Sequence, residues 1–210
     1  MKKISLFFIT LLCAQTLFAH PHAFIDMRTK VLVEKQQLVG FSMRWVLDEP
    51  SSAAVLYDVK QAKSDKKALQ KLIDEVIGNV VNEHYFSYLF DKQGNKVKYS
   101  AKPQNYGMKS SGSQVLYYFD FMLSKPQLLQ DNEFTLSTYD PTYYVSMYYD
   151  KPFHSAVDFS QLPENCHGEV LEPNINEKLK AYASSLDQSQ RNEDDTLGAQ
   201  FAQKVRLICR

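Results

Sequence analysis

A single α+β domain dominated by antiparallel strands, with one long amphipathic helix and a disulfide-pinned C-terminal helical tail, is the fold this sequence predicts. Three observations predict it. Apolar and polar residues alternate with a period of two from Ala23 to Asp48. Residues Leu69 to Val80 follow helical spacing, and two cysteines, Cys166 and Cys209, remain once an apolar leader is set aside.

In chain order, Ala23, Ile25, Met27, Val31 and Val33 fall on one face, with Phe24, Asp26, Arg28 and Lys30 on the other. After a short turn near Gln36, residues Val39, Phe41, Met43, Trp45 and Leu47 form a second apolar face, so two half-buried antiparallel strands are expected. Pro50 and Ser51-Ser52 end the second strand, and residues 51–58 read as one or two helical turns. Leu69, Leu72, Ile73, Val76, Ile77 and Val80 then recur at i, i+3, i+4 and i+7, which predicts the long helix. Ser64 is the expected N-cap, with Asp65 near the positive end of the helix dipole. Strands are expected around 84–91, 96–101, 114–124, 133–140, 143–150 and 153–159, with turns at Asp91–Asn95 and Asp140-Pro141. Ile175, Leu179, Tyr182 and Leu186 carry a modest helical pattern, residues 187–195 read as an exposed connector, and Leu197 to Ile208 form a last apolar stretch.

Lys2 and Lys3, the apolar run Ile4 to Ala14, and Leu17-Phe18-Ala19 have the form of a secretory signal cut after Ala19. The run is too short to span a bilayer. Residues 1–19 are therefore expected to leave and residues 20–210 to form one periplasmic domain of 191 residues, enough for a sizeable core. The leader takes two of the 24 basic residues and none of the 24 acidic ones, so the remainder carries a net charge of −2. That balance, with no basic patch interleaved with aromatics, points away from nucleic acid. No later segment is apolar for the length a membrane helix needs, so any membrane link runs through a partner. In an oxidising compartment the two remaining cysteines read most simply as one disulfide, Cys166–Cys209, and a thiolate metal site is the lesser alternative. The closed loop of about 40 residues corresponds to roughly 3–4 kcal/mol on the chain-entropy model.

Cutting after Ala19 would expose His20 with both an α-amino nitrogen and an imidazole. His22 lies two residues on, so in an extended segment both rings project to one side, and Asp26 continues that side. A His-x-His pair is half of a Zn²⁺ site, since imidazole nitrogen suits borderline metals. Completing donors must come from elsewhere. The candidates are the imidazoles of His84, His154 and His167 and the carboxylates of Asp48-Glu49 and Asp140; each also has a plain structural reading, as a turn former, a helix cap or a surface histidine. Tyr139, Tyr143, Tyr144, Tyr148 and Tyr149 read more readily as strand residues packed on one face than as a ligand groove. No G-x-S-x-G elbow, H-E-x-x-H helix or phosphate-cradling glycine loop is present, and the seven glycines are scattered, so the chain reads as a protein that is not an enzyme.

The segments His20-Pro21-His22-Ala23-Phe24-Ile25-Asp26, Arg44-Trp45-Val46-Leu47-Asp48-Glu49 and Tyr139-Asp140-Pro141-Thr142-Tyr143-Tyr144-Val145, with Leu197-Gly198 through Cys209, together resemble a bacterial periplasmic family often encoded beside permeases of the nickel/cobalt (NicO) type. The resemblance implies a zinc-uptake role: capture of Zn²⁺ in the periplasm and its presentation to an inner-membrane permease. Ni²⁺, Co²⁺ and Cu²⁺ remain open as the ion. It implies His20 and His22 as ligands, with Asp140 and His154 completing the set. Many relatives carry an acidic D-x-D-x-D-G loop before the long helix. The corresponding Asp58–Asp65 stretch here is lysine-rich and lacks that glycine, so calcium binding by it is not implied. Two other readings stand beside this one. A copper protein could use an N-terminal histidine brace, to which Pro21 leaves the way open by removing a backbone N–H. Alternatively, the chain is a metal-free accessory subunit of the permease.

Overall fold

The alternation from Ala23 onward folds as the hairpin it predicts. In the computed structural model, which describes residues 21–62, 65–186 and 196–210, strand β1 (Ala23–Glu34) pairs antiparallel with β2 (Gln37–Leu47), Val31 facing Phe41 and Asp26 facing Val46. Lys35 and Gln36 both take positive φ, 48° and 61°, the conformation a two-residue hairpin turn needs for its twist to match the strands. Met27, Val31, Phe41, Met43 and Trp45 are buried on the inner face.

The strand beyond residue 47 gives way to α1 (Glu49–Gln61), longer than the one or two turns expected. Asp48 is its N-cap, accepting from the Ser51 N–H at 2.8 Å, and Pro50 sits in the first turn where its missing N–H costs nothing. The buried Ser52 hydroxyl donates to the Leu47 carbonyl and accepts from the Val115 N–H at 3.1 Å, locking α1 against the strand that carries Val115. The long helix α2 (Lys66–Asn82) buries Ile73, Ile77 and Val80. Its N-cap is Asp65, whose carboxylate accepts from the Lys67 N–H at 2.8 Å; Ser64, the expected cap, lies outside the described residues.

Two sheets share one core. The first runs β4 (Gln104–Ser111), β5 (Gln114–Leu128), β2, β1, β7 (Val145–Tyr148), with the two-residue β8 (Val157–Asp158) also on β1. Its β1–β7 and β1–β8 pairings are parallel. The second runs β3 (Ser87–Asp91), β6 (Glu133–Thr138), β10 (Lys204–Cys209), β9 (Cys166–Leu171). Phe119, Phe121, Leu89, Phe134, Leu136, Val205 and Leu207 from both sheets join the α2 residues in a single cluster. The predicted α+β, strand-rich class holds, and so does the predicted disulfide: Cys166 and Cys209 are bonded, directly opposite each other across β9–β10.

Local differences have identifiable causes. Residues 96–101 form no strand of their own. Lys96 bridges to Phe90 in the second sheet and Tyr99 to Leu123 in the first, so this segment crosses from one sheet to the other. Of the expected strand 153–159, only β8 survives, after the short helical turn α3 (Phe153–Ala156). Of the helical tail, α4 (Glu177–Ser185) and the short α5 (Leu197–Phe201) form, but the chain then ends as β10, an interior strand of the second sheet. The connector 187–195 lies outside the described residues. His84, Tyr85 and Phe86 take positive φ in succession, between 50° and 59°. The Tyr85 ring, stacked on Phe119 and Phe121 with its hydroxyl donating to the Ser100 carbonyl, holds this unfavourable turn in place. Among the described residues no helix is long and apolar enough to cross a membrane.

Candidate metal centre

The start of β1 is fastened on both sides. On one side, the Phe24 N–H donates to Asp48 Oδ2 at 2.7 Å and the Asp48 N–H returns a bond to the Phe24 carbonyl at 3.0 Å. On the other, the His22 N–H donates to the Tyr144 carbonyl at 2.8 Å, just before the parallel pairing of Ala23 with Val145. The His22 ring lies against the Tyr144 ring, centroids 4.9 Å apart. His22 is thus held in a defined place, half-buried. His20 lies outside the described residues.

Tyr144 is positioned by Asp140. Asp140 is 8% exposed. Its Oδ1 accepts from the Thr142 N–H at 3.0 Å and the Thr142 hydroxyl at 2.9 Å, and its Oδ2 accepts from the Val145 N–H at 2.9 Å. With its carbonyl accepting from the Tyr143 N–H, Asp140 folds residues 140–145 into the predicted Asx-type turn. A carboxylate offers about four acceptor sites, so roughly one remains for another donor or an ion. From below, α5 supports this loop: the Gly198 N–H donates to the Pro141 carbonyl at 3.0 Å, and Tyr143 stacks on Phe201 with centroids 4.0 Å apart.

His154 stands exposed on α3, ahead of β8, which pairs with Thr29–Lys30 farther along β1. His84 and His167 are exposed on other elements. The structure therefore joins His22 to the Asp140 loop through Tyr144. It does not assemble the predicted donors into one group: among the described residues no three of His, Cys, Asp and Glu cluster as a metal site.

The carboxylates near β1 differ in character. Burial pushes the Asp26 carboxyl up, the Arg28 guanidinium at 2.5 Å pulls it down, and the Asp150 charge raises it again, leaving it above the ordinary value. Asp150, which the sequence reading passed over, also helps raise the Tyr148 hydroxyl, after burial and Asp26. Its signal lay in its position at the end of a strand, next to the Lys151-Pro152 break. For Asp48, burial alone would raise the carboxyl, but hydrogen bonds from Ser51 and Phe24 outweigh it and hold it below the ordinary value. A depressed carboxyl adds stability that is present above its unfolded pKa and lost as pH falls through the folded one. Asp48→Asn is therefore expected to be less stable at pH 7 and to lose less stability than the wild type on acidification below about pH 4, read by urea unfolding at several pH values. Parallel curves for the two proteins would show that Asp48 carries no such linkage.

The tyrosines do not form one groove. Tyr149 is 2% exposed, its hydroxyl 2.9 Å from the Thr29 hydroxyl, and burial pushes it up to about 12. Tyr139 stacks on Tyr88 with centroids 4.6 Å apart, while Tyr144 and Tyr148 stay partly exposed. Packing accounts for Tyr139, Tyr143 and Tyr149.

Over residues 5–209 the chain matches the family described as "Protein of unknown function (DUF1007)". It is 60% identical, over 191 residues, to an uncharacterized protein of Haemophilus influenzae, covering 91% of each chain. No solved structure matches.

Proposed function

The chain belongs to the DUF1007 family, and we propose that it is the exported component of a zinc-uptake system, capturing Zn²⁺ and presenting it to an inner-membrane permease. The observation that carries this reading is the anchoring of His22. Its backbone is bonded to Tyr144, its ring lies on the Tyr144 ring, and the next residues are clamped to Asp48. An imidazole so held needs little ordering to receive an ion, and His20 stands two residues upstream with a second ring. After cleavage at Ala19 its amine, with a pKa of about 7.7–8.0, would be partly free to ligate near neutral pH. His20 and His22 are the first ligands in this reading, with Asp140 and His154 as completing donors. An imidazole–carboxylate set lets the ion exchange, as delivery requires. The leader pattern and the Cys166–Cys209 bond support the exported location.

The test is calorimetric titration of Zn²⁺ into protein whose first residue has been sequenced as His20. One ion per chain with micromolar or tighter affinity is expected, and His20→Ala with His22→Ala should weaken it at least about 100-fold, a loss of about 2.7 kcal/mol. The same double variant should fail to restore growth under zinc limitation. Full restoration by that variant would leave a metal-free accessory role and end the carrier reading.

A further inference from the structure

Arg44, from the Arg44-Trp45 segment, takes no part in the metal reading. Trp45 points into the core at 4% exposed, so Arg44 stands on the outer face of the first sheet. In register it lies opposite Arg28 on β1 and Tyr118 on β5, while Lys30 lies opposite Ser42. Like charges directly opposed on neighbouring strands repel. Arg28 is compensated by Asp26 at 2.5 Å and Lys30 by Asp158 at 3.5 Å. Among the described residues, Arg44 and Lys109 have no carboxylate within 4.0 Å. Both side chains are exposed and solvated, and neither has a carboxylate partner of its own to displace before meeting an incoming anion.

Two recesses meet there. One, of about 480 Å³, is bounded by Arg28, Lys30, Ser42, Arg44, Ser155 and Asp158. The other, of about 280 Å³, is bounded by Ser42, Arg44, Asn105, Lys109, Tyr118 and Asp120. Ser42 and Arg44 line both, so the recesses form one shallow trough crossing β1, β2, β5 and β4, roughly 14 Å for three strand spacings. Helix α3 walls one end. At the other, Tyr118 lies across Gly107, where a Cβ would come within 2.4 Å of its hydroxyl oxygen, and the Lys109 ammonium sits 5.5 Å from its ring centroid.

We propose that this trough binds an acidic, extended segment of a partner protein, whose carboxylates engage Arg44 and Lys109. Its length suits about four or five extended residues. Asp158, paired with Lys30 in one recess, and Asp120, opposite Ser42 in the other, repel a compact polyanion seated in either. A chain with spaced carboxylates can place them at the unpaired cations and turn its own N–H groups toward these acids. This inference goes beyond the metal reading and stands without it, because none of these residues is a proposed zinc ligand.

Fluorescein-labelled hexaglutamate, followed by anisotropy at low salt with EDTA present, tests it. Saturable binding is expected, and Arg44→Glu should weaken it at least about tenfold, a change that fades as salt screens the charges. Lys71→Glu makes the same charge change on α2, where the side chain is 78% exposed, and should stay within about twofold of the wild type. Arg44→Glu should melt no lower than the wild type, since it relieves the Arg28 repulsion; Arg44→Gln serves if the reversal disturbs folding. Parallel arms use citrate, inorganic phosphate and phosphatidylglycerol vesicles. Equal affinity of the Arg44 and Lys71 variants overturns the proposal. So does Arg44-dependent binding of citrate or phosphate as tight as the peptide's, or binding of vesicles with none of the peptide.

Discussion

Replacing Cys166 and Cys209 together by serine is expected to lower stability by about 4 kcal/mol, because the bond closes a loop with a sequence separation of 43 and removes that much chain entropy from the unfolded state. For a chain of this size the melting temperature should fall by roughly 8–16 °C. The native state also depends on the bond's position. It ties the end of β10, an interior strand, to β9, the edge strand of the second sheet. Arg206 reinforces the same pair of strands through Glu169 at 2.8 Å, but this pair is partly exposed and contributes little. Thermal and urea unfolding of the wild type, the double-serine variant and the chemically reduced wild type provide the measurement. Agreement of the last two, both well below the first, is the expected pattern. Curves that superimpose for all three would mean the bond does not constrain the unfolded chain.

The second large effect belongs to Gly198. A Cβ there would lie 1.8 Å from the Asp140 carbonyl oxygen and 2.8 Å from its carbon. The obstacle is backbone, and the loop behind it is fixed by three hydrogen bonds to the Asp140 carboxylate. Gly198→Ala is expected to cost about 3 kcal/mol, at the upper end of ordinary overpacking, since no side chain can swing away. Gly78→Ala is the contrasting variant. It lies in α2, nothing stands within 4 Å of its Cβ, and the substitution should stabilise by about 0.5–1 kcal/mol through helix propensity. If the two variants unfold alike, the close approach of α5 to residues 140–141 is not a determinant of stability.

The legible parts of this chain were those whose burial is periodic. β1, β2 and α2 each hide one face, so apolar side chains recur every second residue or every third and fourth. β4 escaped notice because Gln104–Ser111 is an edge strand with only Gly107 buried, leaving almost no apolar pattern. Residues 96–101 do alternate, with Val97 buried and Tyr99 partly buried, yet they change sheets midway and never form a ladder. β10 carried its own signal: Val205, Leu207 and Cys209 are all buried while Arg206 is not, a period of two hidden inside a run that also looks apolar enough for a helix. Asp140 was legible as a turn residue from its place before Pro141. Its part in positioning Tyr144 beside His22 was not, because β1 and β7 are far apart in sequence.

The sequence by itself determined the strand-rich α+β class, the hairpin, the long helix and the cysteine pairing, since each follows from local spacing or from the few residues able to react. Tertiary structure alone decided that the C-terminal strand lies inside the second sheet, that Gly198 supports the Asp140 loop, and that Tyr144 lies beside His22. These are contacts between distant segments. Only the packing of the whole core sets their register, because no local pattern records which strand a given strand meets.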